Sequence, residues 1–289
     1  MVEQRLLAKL TAVGALLALA SCASHSSTST ASHAHGARPV VSVTEAPLGI
    51  ETQTVQWVKV TVPGLGVMLA AVARPQGAGP FPTIVILHGT HGFARQYVQL
   101  AQDMAHNGVL GVAACWFSGG SGPGFRFITP IGCPEAPPMS SASSPAALEA
   151  VDALVQAVRT LPGVRPDRVA IFGHSRGGGA ALHYILGAGA VQAAVLNSAG
   201  YPQELSKGAP AVKVPILMLH GVADSPADGG SALTNVQMAR NFEAALRRAG
   251  KPVEATYYEG GHNGIFTSAA QYDDEVQRIV AFLRRYLVN

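Results

Sequence analysis

The chain has 289 residues, of which 48% are hydrophobic and 13% charged, with a formal net charge of +3. This composition is too apolar for a disordered chain, and the length beyond an export signal suits one compact domain with a sizeable core. The charge is small and no run of Lys and Arg is interleaved with aromatics, which argues against nucleic acid as a partner.

Arg5 and Lys9 precede or border an apolar stretch, Leu10 to Ala20, that is too short to span a bilayer and is followed by small residues, the pattern of an export signal over residues 1–21. Its end, Leu19-Ala20-Ser21-Cys22, resembles the bacterial lipobox, whose Cys is acylated and becomes the first mature residue. Cleavage at Ala18-x-Ala20 is the alternative, giving a secreted soluble protein. Residues 22–48 are rich in Ser, Thr, Ala and His, with almost nothing large and apolar to pack, and are expected to form a flexible tether. His25, His33 and His35 fall in it with no second ligand cluster at metal spacing, so no metal is assigned. A single folded domain is expected over residues 49–289.

Thr54 to Val62 and Val67 to Ala73 carry β-branched and apolar residues around the Pro63-Gly64 turn, which predicts an antiparallel hairpin. Strands at Thr83 to Leu87, Leu110 to Cys115 and Arg168 to Phe172 follow, separated by helices near Ala94 to His106 and Pro145 to Leu161. Next come a helix from Arg176 to Leu186 and strands at Ala193 to Asn197 and Ile216 to Leu219. A helix near Leu233 to Ala249, a strand at Val253 to Tyr258 and a helix near Asp273 to Leu287 complete the chain. Such alternation implies an α/β fold: a mostly parallel central sheet with helices on both faces. The sixteen or so residues between Asn197 and Val214 leave no room for a large cap domain.

Gly173-His174-Ser175-Arg176-Gly177 is a G-x-S-x-G motif lying between an apolar strand and a glycine-rich helix start. A sharp turn there exposes the Ser175 hydroxyl, and the helix N-terminus behind it offers the Arg176 amide to a developing oxyanion. A serine hydroxyl needs a base, and the base an acid that sets its tautomer. Asp224 follows the strand ending at Leu219 and His262 follows the strand ending at Tyr258, so Ser175, Asp224 and His262 are the expected catalytic residues. Asp228 is the rival acid, and Glu259, His88, His91, His174 and His220 are further candidates at strand ends. In Leu87-His88-Gly89-Thr90-His91-Gly92 a glycine loop turns its amides inward, and the amide of Thr90 is the second expected oxyanion donor.

Together, HGTHG at 88–92, GHSRGG at 173–178, HGVAD at 220–224 and YYEGGH at 257–262 resemble the α/β-hydrolase superfamily, from about Trp57 to Leu287, and within it the dienelactone-hydrolase-like esterases. True dienelactone hydrolases carry Cys where this chain has Ser175. The resemblance implies a serine hydrolase without cofactor that cleaves carboxylic esters through an acyl-enzyme. A prolyl-oligopeptidase-type peptidase, a cutinase-like polyester hydrolase and a noncatalytic binding lipoprotein are the alternatives. The long loop from Phe117 to Ser144 has only Arg126 and Glu135 as charges, so an uncharged small-molecule or polymeric ester is the expected partner. His91, Trp116, Phe125, Phe127 and Tyr201 are the expected pocket walls. Cys22 is expected to hold the protein at a membrane of a bacterial envelope. With Cys22 acylated, Cys115 and Cys133 are the remaining thiols in an oxidising compartment, and a disulfide between them is expected.

Overall fold

A computed structural model of the chain describes residues 41–46, 55–120, 125–187 and 189–288. The expected export signal, Cys22 and the three histidines of the expected tether lie outside the described residues.

Among the described residues nine strands form one sheet: β1 (Ser42–Glu45), β2 (Val55–Val62), β3 (Gly66–Ala73), β4 (Phe81–Leu87), β5 (Leu110–Ala114), β6 (Val164–His174), β7 (Ala193–Asn197), β8 (Ile216–Gly221) and β9 (Val253–Tyr258). Their order is β1-β2-β3-β5-β4-β6-β7-β8-β9. The strands from β5 onward along this order run parallel, whereas β1, β2 and β3 join antiparallel. The expected hairpin is thus β2–β3. Ser42–Glu45 falls inside the stretch expected to be a tether, yet it pairs along β2, with Val43 opposite Val60. Alternating Val and Thr suits an edge strand that buries little, a signal masked by the small polar residues around it.

The described residues also form seven α-helices: α1 (Arg95–His106), α2 (Pro145–Arg159), α3 (Arg176–Leu186), α4 (Gln203–Lys207), α5 (Val236–Arg248), α6 (Gly264–Thr267) and α7 (Ala269–Leu283). Period-two alternation divides the core into two layers. Val85, Leu87, Val169 and Ile171 pack with α2, α3 and α5 on one face, while Ile84, Ile86, Ala170 and Phe172 pack with α1 and α7 on the other. Strands β4 and β6 are buried on both faces, which is why they read as continuous apolar runs. Helix ends follow local chemistry: Ser144 accepts the Ala147 amide at the start of α2, with Pro145 at the first helical position, and Asn235 accepts the Gln237 amide at α5. Two boundaries differ from expectation. Asn235 caps α5, so the helix begins there and Leu233 falls in a preceding turn. Ser268 accepts the Gln271 amide and starts α7 four residues early, at Ala269. The segment between β7 and β8 holds only the five-residue α4 and a single 3₁₀ turn.

Candidate active site

Strand β6 and helix α3 meet at Ser175, whose backbone sits at φ 53° and ψ −117°. A non-glycine residue there costs on the order of 1–3 kcal/mol, and the surroundings hold it in place. The Ser175 amide donates to the Asn197 carbonyl at 2.9 Å. A Cβ on Gly173 would lie 2.2 Å from the Gly177 backbone, and one on Gly177 would lie 2.5 Å from the Leu87 carbonyl oxygen. Only glycine at both positions lets β6 turn this tightly into α3 beside β4. Ser175 is itself the residue before the first helical turn, so the positive end of α3 faces its hydroxyl.

Ser175 Oγ lies 2.8 Å from His262 Nε2, and His262 Nδ1 lies 2.7 Å from Asp224 Oδ2. Asp224 is buried beyond β8 and His262 is buried in the turn after β9. The two loops are tied together by backbone: Val222 donates to the Tyr258 carbonyl and Ala223 to the Gly260 carbonyl. The other carboxylate oxygen of Asp224 accepts the Thr234 hydroxyl at 2.7 Å. The Thr234 oxygen in turn accepts the Ser231 amide at 2.8 Å. Thr234 was not singled out from sequence; the Ser231-x-x-Thr234 capping pattern was the available signal. Asp228 is not joined to His262 by a hydrogen bond among the described residues. Its carboxylate instead packs over Gly261, and its carbonyl accepts the Asn263 amide. Glu259 is exposed.

The remaining histidines are structural neighbours with distinct partners. His220 Nε2 donates to the Thr234 carbonyl at 2.6 Å, beside Asp224. His88 donates through Nδ1 to the Gly89 carbonyl, and burial pushes its pKa down to about 3. His174 donates through Nδ1 to Asn197 Oδ1 at 2.6 Å, and burial, followed by the nearby His262, holds it neutral well below the usual range. Asn197 then donates to Glu275 Oε2, and Gln271 to Glu275 Oε1. Despite both donors, desolvation dominates at this fully buried carboxyl and raises its pKa to about 8.

Ser175 and His262 open onto a cavity of about 450 Å³. Its wall includes His91 and Phe125 from the expected pocket residues and the two residues expected as oxyanion donors, Thr90 and Arg176, together with Ser141, Ser143, Leu233 and Asn263, which the sequence did not single out. Ser141 and Ser143 lie in the Phe117 to Ser144 loop, but small polar residues give no sequence signal of a wall. The Arg176 guanidinium is engaged within the wall, donating to Thr90 Oγ1 at 3.2 Å and to the Ser140 carbonyl at 2.6 Å. Three expected wall residues lie elsewhere. Trp116 is buried beneath the 88–92 loop and donates to the His88 carbonyl at 3.0 Å. Tyr201 stacks on Phe242 under His220. Phe127 packs behind His91 and stacks on Phe266. Large aromatics at strand ends and in loops look alike in sequence whether they face a cavity or the core. Cys115 and Cys133 form a disulfide with their Cα atoms 6.6 Å apart. Among the described residues no group of three or more His, Cys, Asp or Glu could hold a metal.

A mostly parallel sheet with a serine at the strand-to-helix turn and the acid and histidine after later strands defines the α/β-hydrolase fold. The dienelactone hydrolase family model matches residues 68–286, and the chain belongs to that family of hydrolases. No curated protein sequence matches the chain. A Klebsiella pneumoniae protein assigned as a dienelactone hydrolase superposes with a TM-score of 0.60 at 21% identity, over 86% of this chain and 100% of that one. Acetyl xylan esterase 1 from Thermoanaerobacterium gives 0.60 at 14% identity, over 85% and 88%. An acylaminoacyl peptidase of Pyrococcus horikoshii gives 0.63 at 15% identity, over 82% of this chain and 42% of that one. At these identities the likeness speaks for the fold.

Proposed function

We propose that this hydrolase is a serine esterase in which Ser175 is the nucleophile, His262 the general base and Asp224 the residue that fixes the histidine. The observation that carries the reading is the hydrogen-bonded chain Ser175–His262–Asp224, at 2.8 and 2.7 Å, opening on the cavity. Asp224 accepts the Nδ1–H of His262, which leaves Nε2 as a lone pair facing the serine hydroxyl. As Ser175 Oγ bonds to the ester carbonyl carbon, its proton passes to Nε2 and the carbonyl oxygen becomes an oxyanion. The amides of Arg176 and Thr90 are assigned to that oxyanion. His262 then returns the proton to the departing alcohol oxygen, leaving an acyl-enzyme, and a water deprotonated by the same nitrogen releases the acid.

Ester substrates are favoured over peptides because, among the described residues, the cavity lining carries no carboxylate side chain to receive a peptide's amino end. The wall is apolar or neutral apart from the engaged Arg176 and the histidines, which suits an uncharged ester, whether a small molecule or a polymer. Similarity to an acylaminoacyl peptidase keeps amide cleavage as the second reading. Fluorophosphonate labelling, followed by turnover of p-nitrophenyl esters of rising acyl length against peptide amides, tests both. Ser175→Ala is expected to abolish labelling and turnover with the fold intact; retained ester turnover would overturn the assignment.

Cys22 is assigned a lipid anchor on the strength of Leu19-Ala20-Ser21-Cys22. Several acyl chains at about 0.8 kcal/mol per buried CH₂ hold a protein stably at a membrane. Wild-type protein is expected in the membrane fraction and Cys22→Ala in the soluble one. Equal release of both without detergent would reject the anchor.

A further inference from the structure

His91 lines the cavity beside Ser175, and its hydrogen bonding leaves it one free donor. Its Nε2 lies 2.7 Å from the Tyr97 hydroxyl, and that hydroxyl accepts the Gly89 amide at 2.9 Å. Tyr97 is buried, so its own proton needs an acceptor, and His91 Nε2 is the only one in reach among the described residues. Tyr97 therefore donates to Nε2, and the imidazole proton must sit on Nδ1, which has no protein partner among the described residues. Turning the ring over would set Cε1 against the Tyr97 hydroxyl and leave that buried proton without an acceptor. The ring stacks on Tyr97, with centroids 5.6 Å apart and 20° between planes, and Phe127 and Phe266 meet it edge-on.

The ring also shares the cavity wall with Ser175. A Cβ placed on Gly89 would stand 3.1 Å from Ser175 Cβ and 3.3 Å from His91 Cε1, so both side chains crowd one point of the 88–92 loop. Burial, with the nearby His262 adding to it, brings the His91 pKa down to about 4, which makes it a poor proton carrier but a permanent neutral donor at neutral pH. We infer that His91, locked as its Nδ1–H tautomer by Tyr97, donates a side-chain hydrogen bond to the substrate oxygen that becomes negative when Ser175 attacks. It thereby supplements the two backbone amides. Tyr97 is the positioning residue that acts through it. This assignment rests on the esterase reading above.

His91→Phe keeps the ring's volume and removes the donor. Its kcat for a p-nitrophenyl ester is expected to fall about 10- to 100-fold, less than the loss of a primary oxyanion donor because two amides remain, with KM within about twofold. His91→Asn, whose amide nitrogen occupies nearly the place of Nδ1, is expected to recover most of the loss. Tyr97→Phe is expected to lower kcat by a smaller factor, and Tyr97→Phe/His91→Phe to be no slower than His91→Phe alone. Thermal melts of each variant separate loss of fold from loss of the donor. An unchanged kcat in His91→Phe, equal impairment of the folded Phe and Asn variants, or additive losses in the double variant would overturn the role of His91. Turnover surviving in Ser175→Ala would instead overturn the esterase reading, and the role of His91 with it.

Discussion

At the level of single residues the proposed acid, Asp224, is the most heavily hydrogen-bonded member of the site. One Asp224 oxygen takes the His262 Nδ1–H and the other takes the Thr234 hydroxyl, so the carboxylate plane is set by two bonds. Thr234→Val keeps the shape and removes one of them, leaving a buried carboxylate oxygen short of a donor at a cost of about 1.5–3 kcal/mol. Activity is expected to drop roughly 10-fold or more, since a loosened acid holds the imidazole tautomer less firmly, and stability to fall by about that amount. Steady-state rates with ester and a urea melt check both; a Val variant equal to wild type in both would remove Thr234 from the site. Asp224→Asn is expected to cost on the order of 10⁴ in kcat, by analogy with other triads. Asp228→Asn, at a carboxylate packed over Gly261 rather than bonded to His262, is expected to leave kcat within a few-fold. The reverse order would make Asp228 the acid.

At the level of elements, the disulfide joins the end of β5 to the long loop that supplies Phe125 to the cavity. That loop is also anchored by backbone: Arg95 donates to the Thr129 carbonyl, Ile131 to the Phe93 carbonyl and Val67 to the Glu135 carbonyl. Closing 18 residues is worth roughly 3 kcal/mol in chain entropy. Cys133→Ala, compared in non-reducing buffer, is therefore expected to melt earlier and to raise KM more than it lowers kcat, because the wall loosens while Ser175 and His262 do not. Two free thiols besides Cys22 in denatured, unreduced mature protein would reject the bridge. The elements that position chemistry were the most legible in sequence, and for a physical reason. Strands β4 and β6 are buried on both faces and the turn at Ser175 admits only glycine beside it, so hydrophobic runs and the motif leave little choice. Strand β1 was missed because an edge strand owes its place to a neighbour's backbone rather than to its own side chains. Of the five expected wall residues, His91 and Phe125 line the cavity, while Trp116, Phe127 and Tyr201 do not. Phe125 and Trp116 carry the same apolar signal, and only the three-dimensional path of the loop separates the one that faces substrate from the one that seats the His88 carbonyl.

At the level of the whole molecule, the buried titratable groups set how folding responds to pH. Four buried histidines, His88, His91, His174 and His220, are held neutral in the fold, the first two with pKa values of about 3 and about 4. Unfolding releases them to the ordinary value near 6.5, so below that pH the unfolded chain binds protons that the native state refuses, and stability falls as pH falls. Glu275 acts in the opposite sense. Its native pKa of about 8 lies above the unfolded value, so between about 4.5 and 8 the native state holds a proton that the unfolded chain has lost, and stability falls as pH rises. Each unmatched proton is worth about 1.4 kcal/mol per pH unit. Near pH 5 as many as four histidine protons oppose one from Glu275, for a net slope of up to roughly 4 kcal/mol per pH unit, rising toward neutrality. Near pH 7 the remaining protonation of the unfolded histidines balances the Glu275 contribution, and above it the slope reverses to less than about 1 kcal/mol per unit until pH 8. The free energy of unfolding, from urea titrations at half-unit steps between pH 5 and 8.5, is therefore expected to peak near pH 7, with a steep acid side and a shallow alkaline one. Glu275→Gln, neutral at every pH and close to the protonated acid in shape, is expected to flatten the alkaline side while leaving the acid side steep. An alkaline limb that persists unchanged in Glu275→Gln would show that the buried carboxyl is already ionised in the native protein at neutral pH.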